Sequence, residues 1–202
     1  MQLGPVALAV LGAVVLGGAV AGAKHPTIRP AEQRAFRAVN GLPGWLYWPL
    51  WAPMQLGNLV VGTVVGLLVA WALGDRRVAV AVVAAMLLKL VAERWLRRAL
   101  APWMEVRQRP GASEPGAILR GADVPISGMS FPSGHVILVA AVAAVVTWGL
   151  PAELVWIPWL LAVLVAVGRV YVGAHNPLDV VAGLGMGMLV GGMLQLVLTA
   201  LG

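Results

Sequence analysis

Cysteine is absent from the chain, which excludes a disulfide framework, a thiolate metal site and a cysteine nucleophile, and leaves the redox compartment unmarked. Charge is scarce. Only 11% of the 202 residues are charged against 60% hydrophobic, and the mean hydropathy is +0.90. Soluble domains carry about a quarter charged residues, so a water-soluble fold is excluded and the bilayer becomes the solvent. What abounds instead is glycine, 25 residues of it, which suits helices that approach closely in lipid. The formal charge of +6 does not point to nucleic acid in so apolar a chain. Its basic residues serve topology, anionic headgroups or an anionic ligand. A single integral membrane domain over residues 1–202 is expected.

Runs of about 20 apolar residues are long enough to cross roughly 30 Å of hydrocarbon, and six are legible. The first covers Pro5 to Ala23 and the second Leu56 to Leu73, ending at Gly74-Asp75-Arg76-Arg77. The third starts near Val78 and continues as a helix through Lys89 and Glu93 to about Arg98. The fourth follows Ser133 to Leu150-Pro151, the fifth runs from Leu154 to Val172, and the sixth from Leu178 to Leu201. The first run lacks a charged start and an obvious small-residue cleavage context, and reads as a retained helix.

Between Lys24 and Gln55 the composition changes. Arg34 and Arg37 precede Trp45, Tyr47, Trp48 and Trp51, a pattern of amphipathic rings that prefers the headgroup layer, so this stretch is expected to lie along the interface. His25, beside Lys24 and Pro26, reads as an interfacial or packing residue. Arg94, Arg97 and Arg98 read as a headgroup-facing cluster. Gly183, Gly187 and Gly191 recur every four residues, a smooth stripe that could serve an intramolecular contact or a homo-oligomer equally. The sizeable polar insert, about Ala99 to Pro132, is rich in proline and glycine, and long loops of this kind are often functional.

Three short segments carry the chemistry: Arg109-Pro110, Pro132-Ser133-Gly134-His135, and Arg169 with His175 and Asp179. With six crossings, all three emerge on one membrane face. A phosphate monoester needs dispersed positive charge and directional donors, and Arg109 and Arg169 can supply planar forks. Ser133 and Gly134 open the fourth helix, where backbone N–H groups and the dipole favour an anion. Histidine can act as nucleophile or acid near neutral pH.

Pro132-Ser133-Gly134-His135 resembles the second signature, PSGH, of the PAP2 (phosphatidic acid phosphatase type 2) and vanadium haloperoxidase superfamily. Arg169-x5-His175-x3-Asp179 is similar to its third, S-R-x5-H-x3-D, with Gly168 in place of the serine. Arg109-Pro110 resembles the end of its first, K-x6-R-P, with Pro102 where the lysine would stand; Lys89, Arg94, Arg97, Arg98 or Arg107 is left to replace it. The resemblance implies an all-α, six-transmembrane-helix bundle that hydrolyses a lipid phosphate or diphosphate, polyprenyl or glycerolipid, without metal or cofactor. It implies that His175 attacks phosphorus, Asp179 orients the ring and stabilises its charge, and His135 protonates the leaving alkoxide and later activates water. Arg109, Ser133, Gly134 and Arg169 would bind the phosphate.

Two alternatives accompany this reading. An Arg169–Asp179 ion pair could simply hold the last two helices together, and the same charges could line the path of a non-enzymatic lipid or ion transporter. The setting expected is a bacterial plasma membrane. Of 14 Lys and Arg residues, all but Arg76 and Arg77 lie on the site's side, so the positive-inside rule puts the site in the cytoplasm.

Overall fold

Proline sets where several helices begin, because its missing N–H is no loss in the first turn and its φ is already helical. Pro5 opens α1 (Pro5–Ala23), Pro30 opens α2 (Pro30–Asn40), Pro110 opens the single turn α6 (Pro110–Ser113), and Pro177 opens α9 (Pro177–Ala200). Between them lie α3 (Tyr47–Met54), α4 (Leu59–Leu73), α5 (Arg76–Met104), α7 (Gly134–Thr147) and α8 (Trp156–Tyr171). The computed structural model describes residues 3–24, 28–104, 107–122 and 124–201; His25 lies outside them. Among the described residues the fold is all-α, its one β feature being an isolated antiparallel bridge from Gln108 to Met129.

Close contacts at glycines reveal how the helices run. A Cβ added at Gly192 would stand 2.7 Å from Ala9 N, one at Gly12 2.7 Å from Gly185 O, and one at Gly22 3.0 Å from Leu178. Rising numbers on α1 meet falling numbers on α9, so the two are antiparallel. Gly183 abuts Ser133 and Val136, Gly187 abuts Ile137 and Ala140, and Gly191 abuts Ala144, so α9 and α7 run parallel. The glycine stripe is thus consumed inside the chain, against α7. Gly62 meets Leu138 and Gly66 meets both Val142 and Val82, while Glu93 lies against Gly134. Hence α4 is parallel to α7 and α5 antiparallel to it. The six long helices α1, α4, α5, α7, α8 and α9 alternate in direction, and both chain ends point away from the end that holds Gly134 and Pro177.

Lengths depart from the even spans expected. At about 1.5 Å per residue, the 24 residues of α9 reach about 36 Å, whereas the 14 of α7 reach about 21 Å. α1 and α9 are long and apolar enough to cross a membrane by themselves, and α7 and α8 are shorter apolar helices. The second expected span is also different: α4 is 15 residues long, and a 78° bend separates it from the preceding helical segment Gly44–Gly57. Asn58 causes the break. Its extended backbone ends the preceding turn, and its side chain caps α4 by accepting from the Val60 and Val61 N–H groups at 3.0 and 3.3 Å.

The stretch expected at the interface forms α2 and α3. Trp45, Trp48 and Trp51 are exposed, as a headgroup belt requires. On the other side of α2, Glu32, Phe36 and Asn40 follow one another at four-residue spacing and are all buried. Asn40 donates to the carbonyls of Ile118 and Tyr171, both at 2.9 Å, and accepts from the Ile118 N–H at 2.8 Å. Arg120 donates to Asn40 O and Tyr171 O at 2.8 and 2.7 Å, with its guanidinium 4.1 Å above the Tyr171 ring. These bonds bind the long polar insert to α2 and to the end of α8.

A histidine pair in a basic cleft

The insert reaches the helix ends through the bridge at Gln108 and Met129. Arg109 N donates to Gly128 O at 3.1 Å and Ser130 N to Arg107 O at 3.3 Å, so the pairing sets Arg107 and Arg109 beside the strand of chain leading to Ser133. Ser133 N donates to Asp179 O at 3.0 Å, joining the start of α7 to the first turn of α9. Arg109 Nη1 donates to Ala174 O at 2.9 Å. Three segments separated in sequence are therefore tied by backbone-directed bonds, and they bring together every residue expected in the site. His135 lies within electrostatic reach of Arg169, His175, Lys89 and Arg109.

His175 is 3% exposed, in the turn between α8 and α9. Its Nδ1 faces Asp179 Oδ2 at 3.7 Å, beyond hydrogen-bond distance, so their interaction at this separation is electrostatic. That orientation leaves Nε2 as the nitrogen turned away from the carboxylate. Burial holds the imidazole below its ordinary range, and the Asp179 carboxylate opposes this. Asp179 itself is held on both oxygens: Asn176 N donates to Oδ2 and Arg107 Nε to Oδ1, both at 2.7 Å. The ion pair that Asp179 makes with a guanidinium is thus with Arg107. Arg169 stands in the last turn of α8, 7% exposed.

Ser133 is the N-cap of α7, yet its side chain makes no capping bond, and its buried Oγ has no hydrogen-bond partner among the described residues. Its N–H is taken by Asp179, so the free donors at this end are those of the first turn of α7. Glycine at 134 admits a close neighbour. A Cβ there would stand 2.6 Å from Glu93 Oε2, so a carboxylate already lies against this helix start. Glu93 is in turn gripped by Lys89 at 2.7 Å and Arg97 at 2.9 Å. Gly57 packs on His135 just as tightly, 2.6 Å from its Cβ if a side chain were added.

These contacts sort the candidates for the missing lysine. Arg94 and Arg98 are exposed, as a headgroup cluster would be. Arg97 departs from that cluster: it is half-buried, pairs with Glu93 and donates to Pro132 O at 3.3 Å. Arg107 is occupied by two carboxylates, Asp179 and Glu32. Lys89 and Arg97 remain, both paired with Glu93 beside the start of α7. Gly168 has a packing reason. Met54 of α3 fills the place of a side chain, its Cγ 2.6 Å from where a Cβ would be.

Sequence reasoning missed Glu32 and the placement of Glu93. Glu32 alone had a signal, a carboxylate on the buried, four-residue stripe of an amphipathic helix, where an ionised group needs a partner. His135 and Arg169 line a polar cleft with Gln55, Asn58, Arg120 and Tyr47. A second, apolar groove runs between α4, α7 and α8, from Leu56 past Val142 to Ile157. Gln55 of the cleft and Leu56 of the groove are neighbours in the chain, at the bend between α3 and α4.

Over 55 residues the chain is 47% identical to an undecaprenyl-diphosphatase from Sulfolobus acidocaldarius, a match that spans 27% of this chain and 26% of that relative. The structure of Aquifex aeolicus LpxE superimposes with a TM-score of 0.65 at 25% identity, covering 81% of this chain and 93% of the other. A PAP2-type phosphatidylglycerolphosphate phosphatase from Bacillus subtilis shares the fold over the whole chain and 98% of its own, with a TM-score of 0.64 at 24% identity. Residues 76–200, which hold the histidine pair, both arginines and Asp179, match the PAP2 superfamily, and the chain belongs to that superfamily.

Proposed function

We propose that this protein is a lipid phosphatase that transfers a phosphoryl group to His175 and then to water. The observation that carries the reading is the convergence of His175 and His135 with Arg109 and Arg169 at one end of the bundle, where His135 and Arg169 line a polar cleft. Nε2 of His175 attacks phosphorus, forming the N–P bond as the bond to the lipid oxygen breaks. His135 gives its proton to the departing alkoxide. It then takes a proton from water, whose oxygen attacks phosphorus and breaks the N–P bond, releasing inorganic phosphate and restoring His175. Asp179, facing Nδ1, favours the tautomer with the proton on that nitrogen and balances the charge the ring acquires.

Arg109, Arg169, the Ser133 hydroxyl and the first turn of α7, opened by Gly134, hold the nonbridging oxygens. Lys89, with Arg97, supplies the positive charge that lysine gives in the first family signature; an arriving phosphate competes with Glu93 for both. The headgroup takes the polar cleft and the tail the apolar groove. Two relatives named for undecaprenyl diphosphate and phosphatidylglycerolphosphate make polyprenyl and glycerolipid phosphates or diphosphates the substrates to test. Phosphate release from such a panel by the purified protein, with excess chelator, is expected and is expected to vanish in His175→Ala. Absence of release from every member, alike in parent and variant, overturns the reading in favour of a transporter.

A further inference from the structure

Helix α2 takes no part in the family signatures, yet it sends a carboxylate to the catalytic end of the bundle. The Glu32 side chain is 6% exposed, and it meets a guanidinium that is 4% exposed. Arg107 Nη2 donates to Glu32 Oε1 and Nη1 to Oε2, the latter at 3.4 Å, while Nε donates to Asp179 Oδ1 at 2.7 Å. Glu32 Oε1 also accepts from Leu178 N at 2.9 Å, in the first turn of α9. Asp179 then faces His175 Nδ1 at 3.7 Å. The order in space is Glu32, Arg107, Asp179, His175.

We propose that Glu32 is a positioning residue for phosphoryl transfer, which acts through Arg107 to hold Asp179 in place and to keep the group facing His175 net negative. The inference rests on the phosphohistidine reading. A lone Arg107–Asp179 pair would be neutral and would turn much of the Asp179 charge away from the ring. With Glu32 the three groups sum to −1. That charge is matched by the positive charge His175 gains when Nε2 bonds phosphorus with Nδ1 still protonated, so the network favours the transition state over the resting enzyme. Among the described residues, the other charged or titratable groups that act on His175 are Arg109 from the insert, Arg169 from α8 and His135 from α7. The two arginines disfavour a cationic ring, which leaves the Glu32 network as its counterweight.

Glu32→Gln keeps the size and the acceptor oxygen but removes the charge. For this variant kcat is expected to fall by about tenfold or more with KM nearly unchanged, the pattern of an interaction made in the transition state. Loss of a nearby negative charge destabilises the imidazolium, so the acid limb of the kcat/KM profile should move to lower pH. Glu32→Asp, which retains the charge, should restore that limb to the parent position. Thermal unfolding in detergent, followed for all forms, separates charge from packing. An unchanged kcat and an unmoved limb in Glu32→Gln overturn the proposal, as does a loss of activity that tracks unfolding while the limb stays fixed. Should the parent release no more phosphate than His175→Ala, the phosphatase reading itself fails and takes this role with it.

Discussion

At His175 desolvation and a carboxylate pull in opposite directions. Burial disfavours the cation, Asp179 favours it, and the balance lies on the side of burial, below the ordinary 6.5. A base whose pKa is lowered sheds its proton at lower pH, so the neutral nucleophile persists into mildly acidic solution. The acid limb of kcat/KM, which reports the base of the free enzyme, should therefore lie below pH 6.5. Asp179→Asn removes the opposing carboxylate and should move the limb lower still while cutting kcat; a pH–rate series on a soluble short-chain phosphate ester checks both. The motif residues His135, Arg169, His175 and Asp179 were legible as a set because their spacing is carried by sequence alone. For Glu32 only its place on the buried stripe of α2 had a local signal; its partner Arg107 lies 75 positions away, and no spacing marks that pairing.

At the scale of helices, glycine decides what can touch. Gly187 of α9 sits against Ile137 O and Ala140 of α7, with an added Cβ 2.7 Å from the carbonyl oxygen. Backbone on one side and a short side chain on the other cannot move aside, so Gly187→Val must part α7 from α9. Overpacking of this kind costs about 1–3 kcal/mol. The parting falls on the interface that also joins Ser133 to Asp179, so a lower melting temperature in detergent should accompany a fall in activity. The stripe itself was visible in the sequence as a four-residue repeat. Its target was not, because a smooth face fits a neighbour in the same chain or another copy equally well until the chain's path is known. The bend at Asn58 and the shortness of α7 escaped notice for a related reason: hydropathy averages over a window and does not register one cap.

Over the whole molecule, the six alternating helices put both ends of the chain opposite the histidine pair. We infer that all six cross the membrane, with the 14-residue α7 and 15-residue α4 completed by adjoining chain or by local thinning of the bilayer. Reporter fusions at the N- and C-termini should then give the same sidedness, shared with the Arg76–Arg77 turn and opposite to one inserted near Gly116 in the polar insert. The excess of basic residues at the site end predicts that the insert faces the cytoplasm, and the same fusions decide it. Composition by itself determined that this protein lives in lipid, because so apolar a chain has too few polar groups to cover a water-facing surface, and motif spacing marked the residues proposed to meet phosphate. Only the tertiary structure decided that Arg107 pairs with Asp179, that Glu32 joins them, and that Lys89 and Arg97 both pair with Glu93. Ion pairs form between groups that folding brings within about 3–4 Å, and that proximity is a property of helix packing that no linear spacing records.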